Sequence, residues 1–108
     1  MNKYYNCKCL VDNIEFNSKK EANYYLELKQ MVNQGLISDL KLQVKYELIP
    51  SFKLNGHSIR PMCYIADFTY RDKDLCLHII DTKGFRTDVY KIKKKIFEYK
   101  YKIEIEEK

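Results

Sequence analysis

Residues 62–83, Met-Cys-Tyr-Ile-Ala-Asp-Phe-Thr-Tyr-Arg-Asp-Lys-Asp-Leu-Cys-Leu-His-Ile-Ile-Asp-Thr-Lys, decide the fold. Two runs rich in β-branched and aromatic residues are joined by a short charged segment, the pattern of two antiparallel strands and a turn. Ionisable residues interrupt both runs where a core would take apolar ones: Asp67 in the first, Asp81 and Lys83 at the end of the second. In alternating strands Cys63, Ile65, Asp67 and Thr69 share one face, and so do Leu75, Leu77, Ile79, Asp81 and Lys83. Whether the acids meet depends on the turn. A two-residue loop at Asp72-Lys73 would put them on opposite faces. A three-residue loop, Asp72-Lys73-Asp74 closed by Arg71 and Leu75, pairs Asp67 with Ile79 and Ile65 with Asp81. The acids are then diagonal neighbours on one face, about 7–8 Å apart at the backbone. That even register is the expectation.

Two carboxylates converging beside a lysine have few stable uses. Left alone they repel, and one takes up a proton. A divalent ion such as Mg²⁺ resolves this, because it takes hard oxygen ligands and keeps several waters. Lys83 could then orient a metal-bound water or stabilise a pentavalent phosphate, which fits phosphodiester hydrolysis. The plainer account is that Asp67 and Asp81 are strand-end residues and Lys83 pairs with one of them. Spacing alone leaves both accounts open.

Upstream, residues 3–16 read as a short β-rich hairpin at the sheet edge, with Tyr4, Tyr5, Cys7, Cys9, Leu10 and Val11 before a turn at Asp12-Asn13, and Ile14 and Phe16 after it. Ser18-Lys19-Lys20-Glu21 then matches a capping box and opens a helix. Ala22, Tyr25, Leu28 and Val32 form its inward stripe, and Gly35 ends it. Glu21 lies on that stripe too, so it is either a cap or a site residue. Alternation of Val44, Tyr46, Leu48 and Phe52 marks a strand over 42–52, with Gln43 on its other face, and Asn55-Gly56 is a two-residue hairpin turn. His57, beside that turn, is expected to be exposed and has no assigned role.

Downstream, Thr87 or Asp88 caps a second helix. Val89, Ile92, Ile96 and Phe97 are expected to face the core, and lysines to fill the rest. Lys102-Ile103-Glu104-Ile105-Glu106 reads as a final strand. The class is therefore α/β (α+β): a β-rich opening, a helix, three strands, a helix and a strand.

At 108 residues the chain is one domain, 1–108. Its net charge of +5 is uneven, since residues 83–102 carry eight Lys or Arg against Asp88 and Glu98 while the remainder is slightly acidic. A basic C-terminal block fits a polyanionic partner, although a solvated helix face has the same composition. Ten tyrosines without a tryptophan suit half-buried positions and wet interfaces. The four cysteines lack paired C-x-x-C spacing, which argues against zinc and for free buried thiols. No apolar run reaches spanning length and no signal peptide is visible, so the expectation is a cytoplasmic protein without a membrane partner.

Asp67, then Asp81-Thr82-Lys83, preceded by a helix bearing Glu21, resembles the PD-(D/E)xK nuclease superfamily. More closely, Phe16-Asn17-Ser18-Lys19-Lys20-Glu21-Ala22, Arg60-Pro61, Tyr64-Ile65-Ala66-Asp67-Phe68 and Asp81-Thr82-Lys83-Gly84 resemble a family of small phage and prophage proteins placed in that superfamily. It is similar to junction-resolving and transposon-end endonucleases. The resemblance implies a restriction-endonuclease-like core: helix, three-stranded antiparallel meander, helix and strand in a mixed sheet. It implies Glu21 as the helix acid, Asp67 and Asp81 as metal ligands, Lys83 as the catalytic lysine, and Gln43 as an accessory polar residue. Two departures stand out. Ala66 replaces the proline, and Asp81 is one methylene shorter than the commoner glutamate, which would draw the metal closer to the strand.

The function these readings favour is a Mg²⁺-dependent DNA endonuclease (Mn²⁺ substituting), phage-encoded and acting on branched or Holliday-junction DNA in recombination, replication or packaging. Arg86, Lys91, Lys94 and Lys95 would contact phosphates, which position the protein without reading sequence. Cutting two strands with one site per chain suggests a homodimer. The alternatives are a non-catalytic DNA-binding or architectural protein on the same scaffold, or a nicking subunit of a larger complex.

Overall fold

The computed structural model describes residues 8–82 and 85–108. Tyr4, Tyr5, Cys7, Lys83 and Gly84 therefore lie outside the described residues. A hairpin of β1 (Cys9–Val11) and β2 (Ile14–Phe16) precedes helix α1 (Lys19–Asn33). Then come β3 (Ser38–Ile49), a hairpin of β4 (Phe52–Leu54) and β5 (His57–Ile59), β6 (Met62–Arg71), β7 (Leu77–Asp81), α2 (Asp88–Tyr101) and β8 (Ile105–Glu107). The main sheet has the order β3-β6-β7-β8. Its first three strands are an antiparallel meander, and β8 joins parallel to β7. The α+β class and the order helix, meander, helix, strand are those read from the sequence. Among the described residues no helix is long and apolar enough to cross a membrane.

Local chemistry explains the boundaries. Asp12 and Asn13 take positive φ (53° and 63°), as a two-residue hairpin turn requires, but β1–β2 is a separate sheet rather than the edge of the main one. Ser18 Oγ accepts from the Glu21 amide at 3.1 Å and caps α1. At its far end Leu36 N donates to Met31 O and Gly35 N to Val32 O, a Schellman closure that needs Gly35 at φ 76°. Asn55-Gly56 turns the β4–β5 hairpin as its sequence indicates, and His57 is exposed. β3 runs 38–49 rather than 42–52, and Phe52 falls in the separate hairpin beyond Pro50.

Two expectations about the second helix are overturned. Val89 and Ile92 are 62% and 57% exposed, while Tyr90 and Phe97 are buried. Tyr90, Lys94, Phe97 and Tyr101, spaced four, three and four, make the inner stripe, so the helix is rotated from its expected face. The helix also absorbs Tyr101, and Lys102 closes it in the left-handed region at φ 61°, which delays the last strand to Ile105.

The loop between β6 and β7 is longer than expected. Arg71 pairs with Leu77, leaving 72–76 as the loop. Asp72 organises it: its Oδ1 accepts from Asp74 N at 2.9 Å and Cys76 N at 3.0 Å, and Leu75 turns at φ 66°. Ile79 pairs with Thr69 rather than with Asp67, and Asp81 does not pair with Ile65. The two-residue shift keeps the even parity, and the ladder runs to Phe68 opposite Ile80, one step short of Asp67 and Asp81.

The core lies on both faces of the sheet. Ile80 packs with Ala22, Tyr25 and Leu28 of α1, and its neighbour Ile79 packs with Tyr90 and Phe97 of α2. Strand residues two apart share a face. Yet Leu42 and Phe68 pack toward α1, whereas Tyr46, Tyr64 and Ala66 pack toward α2. Both strands change side at Gln43 and Asp67, and Gln43 has φ 53° in mid-strand. The simple alternation expected for 63–69 fails here because a left-handed residue interrupts the pleat. Non-glycine residues in that region cost on the order of 1–3 kcal/mol and cluster at functional sites.

Candidate functional site

The break in the pleat brings three polar side chains together. Glu21, in the first turn of α1, is 5% exposed, and its Oε2 accepts from Gln43 Nε2 at 3.0 Å. The same amide nitrogen lies 3.5 Å from Asp67 Oδ1. Gln43 thus spans the helix acid and the strand acid without neutralising either. Ser18 is the cap and holds the Glu21 backbone amide, while the Glu21 carboxylate turns to Gln43.

Asp67 is fixed from the other side. Its Oδ2 accepts from both Thr82 N and Thr82 Oγ1, each at 2.8 Å. These bonds tie β6 to the residue after β7 and, among the described residues, leave Oδ1 with the long contact to Gln43. Asp81 ends β7 and is fully buried, with its Oδ2 accepting from the Tyr64 phenol at 2.7 Å. Burial, that hydrogen bond, and the charges of Asp81 and Asp67 push the Tyr64 hydroxyl far above the usual phenol range, so it acts as a fixed donor. Tyr64 and Thr82 had no assigned role in the sequence. Each stands within a motif that already named its neighbours, but nothing in spacing separates a clamping hydroxyl from core packing.

Lys83 lies outside the described residues. Glu21, Gln43, Asp67 and Asp81 come from α1, β3, β6 and β7, with Gln43 and Asp67 in mid-strand and Asp81 at a strand end. Among the described residues no three His, Cys, Asp or Glu side chains form a ready-made metal cage. The reason is geometric: Tyr64 draws the Asp81 carboxylate into the α2 side while Gln43 and Thr82 hold Asp67. Mg²⁺ does not need such a cage, since it is commonly held by one or two carboxylates with waters and substrate phosphate completing the shell. Asp67 Oδ1 and Glu21 Oε2, both contacted by Gln43 Nε2, are oxygen donors of the kind this ion takes.

The basic residues divide. Arg86 Nε pairs with Glu107 Oε1 at 2.8 Å, and Lys94 Nζ with Glu107 Oε2 at 3.3 Å. The Tyr90 phenol donates to the same carboxylate at 2.7 Å. With these partners, Tyr90 first, Glu107 is held below the usual carboxylate range. Lys91 and Lys95 are exposed. The structure thus separates two structural cations from two surface ones among the four assigned to DNA.

Two clefts flank the site. One of about 450 Å³ opens beside Thr82 and is lined by Lys20, Asn23, Tyr24, Glu27 and Lys108 as well. The other, about 260 Å³, lies against Tyr64 on the α2 side.

The chain belongs to the family described as protein of unknown function (DUF1064), whose model matches residues 1–106. No curated protein and no solved structure matches the chain.

Proposed function

We propose that this member of the DUF1064 family is a magnesium-dependent endodeoxyribonuclease of the PD-(D/E)xK type that cuts branched DNA as a homodimer in the cytoplasm of a phage host. The observation that carries the reading is the convergence of Glu21 and Asp67 on Gln43 Nε2 at the break in the sheet, with Asp81 one step from pairing opposite Asp67. A polar cluster on a strained strand is costly for the fold and useful for chemistry.

Asp67 and Asp81 would hold the ion, with Glu21 completing the acidic wall. Bound there, Mg²⁺ would polarise a phosphodiester and make its water a better nucleophile. The protein's own part is orientation. Thr82 fixes the rotamer of Asp67 through two bonds to one oxygen, which aims the other outward. Gln43 holds Glu21 and Asp67 at one spacing. Tyr64, kept protonated, fixes Asp81. Lys83, by resemblance, would meet the charge that develops on the phosphate. Lys91 and Lys95 would meet the DNA backbone, which contributes affinity without sequence.

A second reading has its own observation. The Asp81 carboxylate is fully buried and already bonded to Tyr64, as a structural acid would be. On that reading the chain binds DNA without cutting it. Labelled four-way junction, flap and duplex DNA incubated with Mg²⁺ or Mn²⁺ separate the two. Cleavage that needs metal and disappears in Asp67→Ala and Asp81→Ala supports the nuclease. Binding without cleavage, or cleavage that survives both substitutions, refutes it.

A further inference from the structure

The smaller cleft is lined by Cys63, Tyr64, Ile65, Thr87, Val89, Tyr90 and Lys93. Three of these are consecutive residues of β6. Consecutive strand side chains point to opposite faces, so what the three present together is backbone. One edge of this segment pairs with β3, through Lys45–Ile65, Tyr46–Tyr64 and Glu47–Cys63. Among the described residues no strand pairs with the other edge, because the β6–β7 ladder covers only Phe68 to Arg71. The cleft therefore contains main-chain hydrogen-bonding groups of a strand edge that is unpaired among the described residues.

The remaining walls are apolar with one cation. Val89 is 62% exposed, large for an aliphatic residue in a small domain. Lys93 sits at the same cleft and, among the described residues, makes no ion pair, unlike Lys94 one position on. Tyr64 joins the cleft to the acidic site, since the residue that lines it also donates to Asp81. The volume, about 260 Å³, lies just below the range of about 300–1,000 Å³ usual for ligand pockets, which suits one flat ring system better than a peptide segment.

An aliphatic face, an edge of donors and acceptors, and a cation without an ion pair among the described residues are the complement of one nucleotide. We infer that this cleft receives an unpaired nucleobase of the DNA, with Val89 against the ring, the β6 edge toward its hydrogen-bonding groups and Lys93 toward its phosphate. This rests on the nuclease reading and sharpens it: selection of branched DNA would come from capture of a base that a duplex keeps stacked. Paired DNA gives the cleft nothing to hold.

The test measures binding in EDTA, where cutting is off, to two DNAs of one sequence. One is fully paired and the other carries a single unpaired 2-aminopurine. The wild type should bind the bulged DNA at least fivefold more tightly, and the probe should brighten as it leaves the stack. Val89→Asp puts a carboxylate in the cleft at a helix position that tolerates acids, and Lys93→Gln removes the cation. Each should bring the bulged-to-paired affinity ratio toward one, with helical circular dichroism retained. A wild-type ratio near one, with paired DNA still bound and metal-dependent cutting intact, overturns the subsite alone. A ratio that survives both substitutions also overturns it. Absence of binding to any DNA overturns the nuclease reading together with the subsite.

Discussion

Tyr64 donates its phenolic proton to Asp81 across 2.7 Å, and both residues are buried. Their bond joins the middle of β6 to the end of β7 beyond the point where the strand ladder stops. Tyr64→Phe keeps the ring against Tyr90 and Phe97 but removes a donor from a buried carboxylate. Such a loss costs about 1–3 kcal/mol. Urea unfolding should show that decrease with an unchanged slope, and metal-dependent cleavage should fall because Asp81 loses its fixed rotamer. Unaltered stability and activity would show that the bond has no part in either.

Gln43 combines a left-handed backbone with a side chain that spans two acids, and the two properties can be separated. Gln43→Gly and Gln43→Ala both delete the amide, but only glycine relieves the positive φ. The left-handed region costs an ordinary residue about 1–2 kcal/mol, so the glycine variant should be the more stable of the pair by roughly that amount. Both should lose nuclease activity to a similar degree. If alanine is as stable as glycine, the strand has relaxed and the break in the pleat does not depend on this residue.

Elements with a periodic signal were legible in the sequence: α1 with its Ser18 cap, the turns at Asp12-Asn13 and Asn55-Gly56, and the order of helices and strands. The even register of β6 and β7 was legible too, though the loop was not. Its length is set by Asp72 accepting from Asp74 and Cys76, a choice of the side chain that hydrophobic spacing does not encode. The face of α2 was misread because lysines crowd both sides of it. Lys94 sits on the inward stripe and reaches Glu107, while Val89 and Ile92 point out. Gln43 could be named only by resemblance, because its role depends on a backbone conformation that glutamine rarely adopts.

His78 adds a pH dependence remote from the acids of the site. Its Nε2 meets Asp72 Oδ2 at 2.8 Å, its Nδ1 meets Glu106, and its ring stacks on Tyr70 with centroids 4.9 Å apart. The bond to Asp72, opposed by partial burial and reinforced by Glu106, raises its pKa above the usual histidine value. A raised pKa means the folded state holds the proton more tightly. The stabilisation is therefore fully present below about pH 6.5 and is lost as pH rises through the folded-state value. Asp72 is shifted the opposite way, chiefly by His78, so its contribution is present above the usual carboxylate range and disappears on acidification. The melting temperature of wild type should fall from pH 6 to pH 9 more than that of His78→Gln. Parallel curves would mean that the imidazolium does not link the loop to β8.

The two classes of cation on and beside α2 should respond differently to neutralisation. Lys91 and Lys95 are exposed and, among the described residues, have no ion-pair partner that would be stranded by their loss. Lys91→Gln and Lys95→Gln should leave the melting temperature nearly unchanged while weakening DNA binding for every sequence alike. Each should lower the slope of log affinity against log salt by about 0.9, the value for one phosphate contact on B-DNA. Lys94 is bound to Glu107 together with Arg86 and Tyr90. Lys94→Gln removes part of the cluster that holds this carboxylate below its usual range, so its main effect should be on stability, with little change in salt slope. A loss of salt slope in Lys94→Gln equal to that of Lys91→Gln would mean that the Glu107 pair opens to release the lysine when DNA arrives.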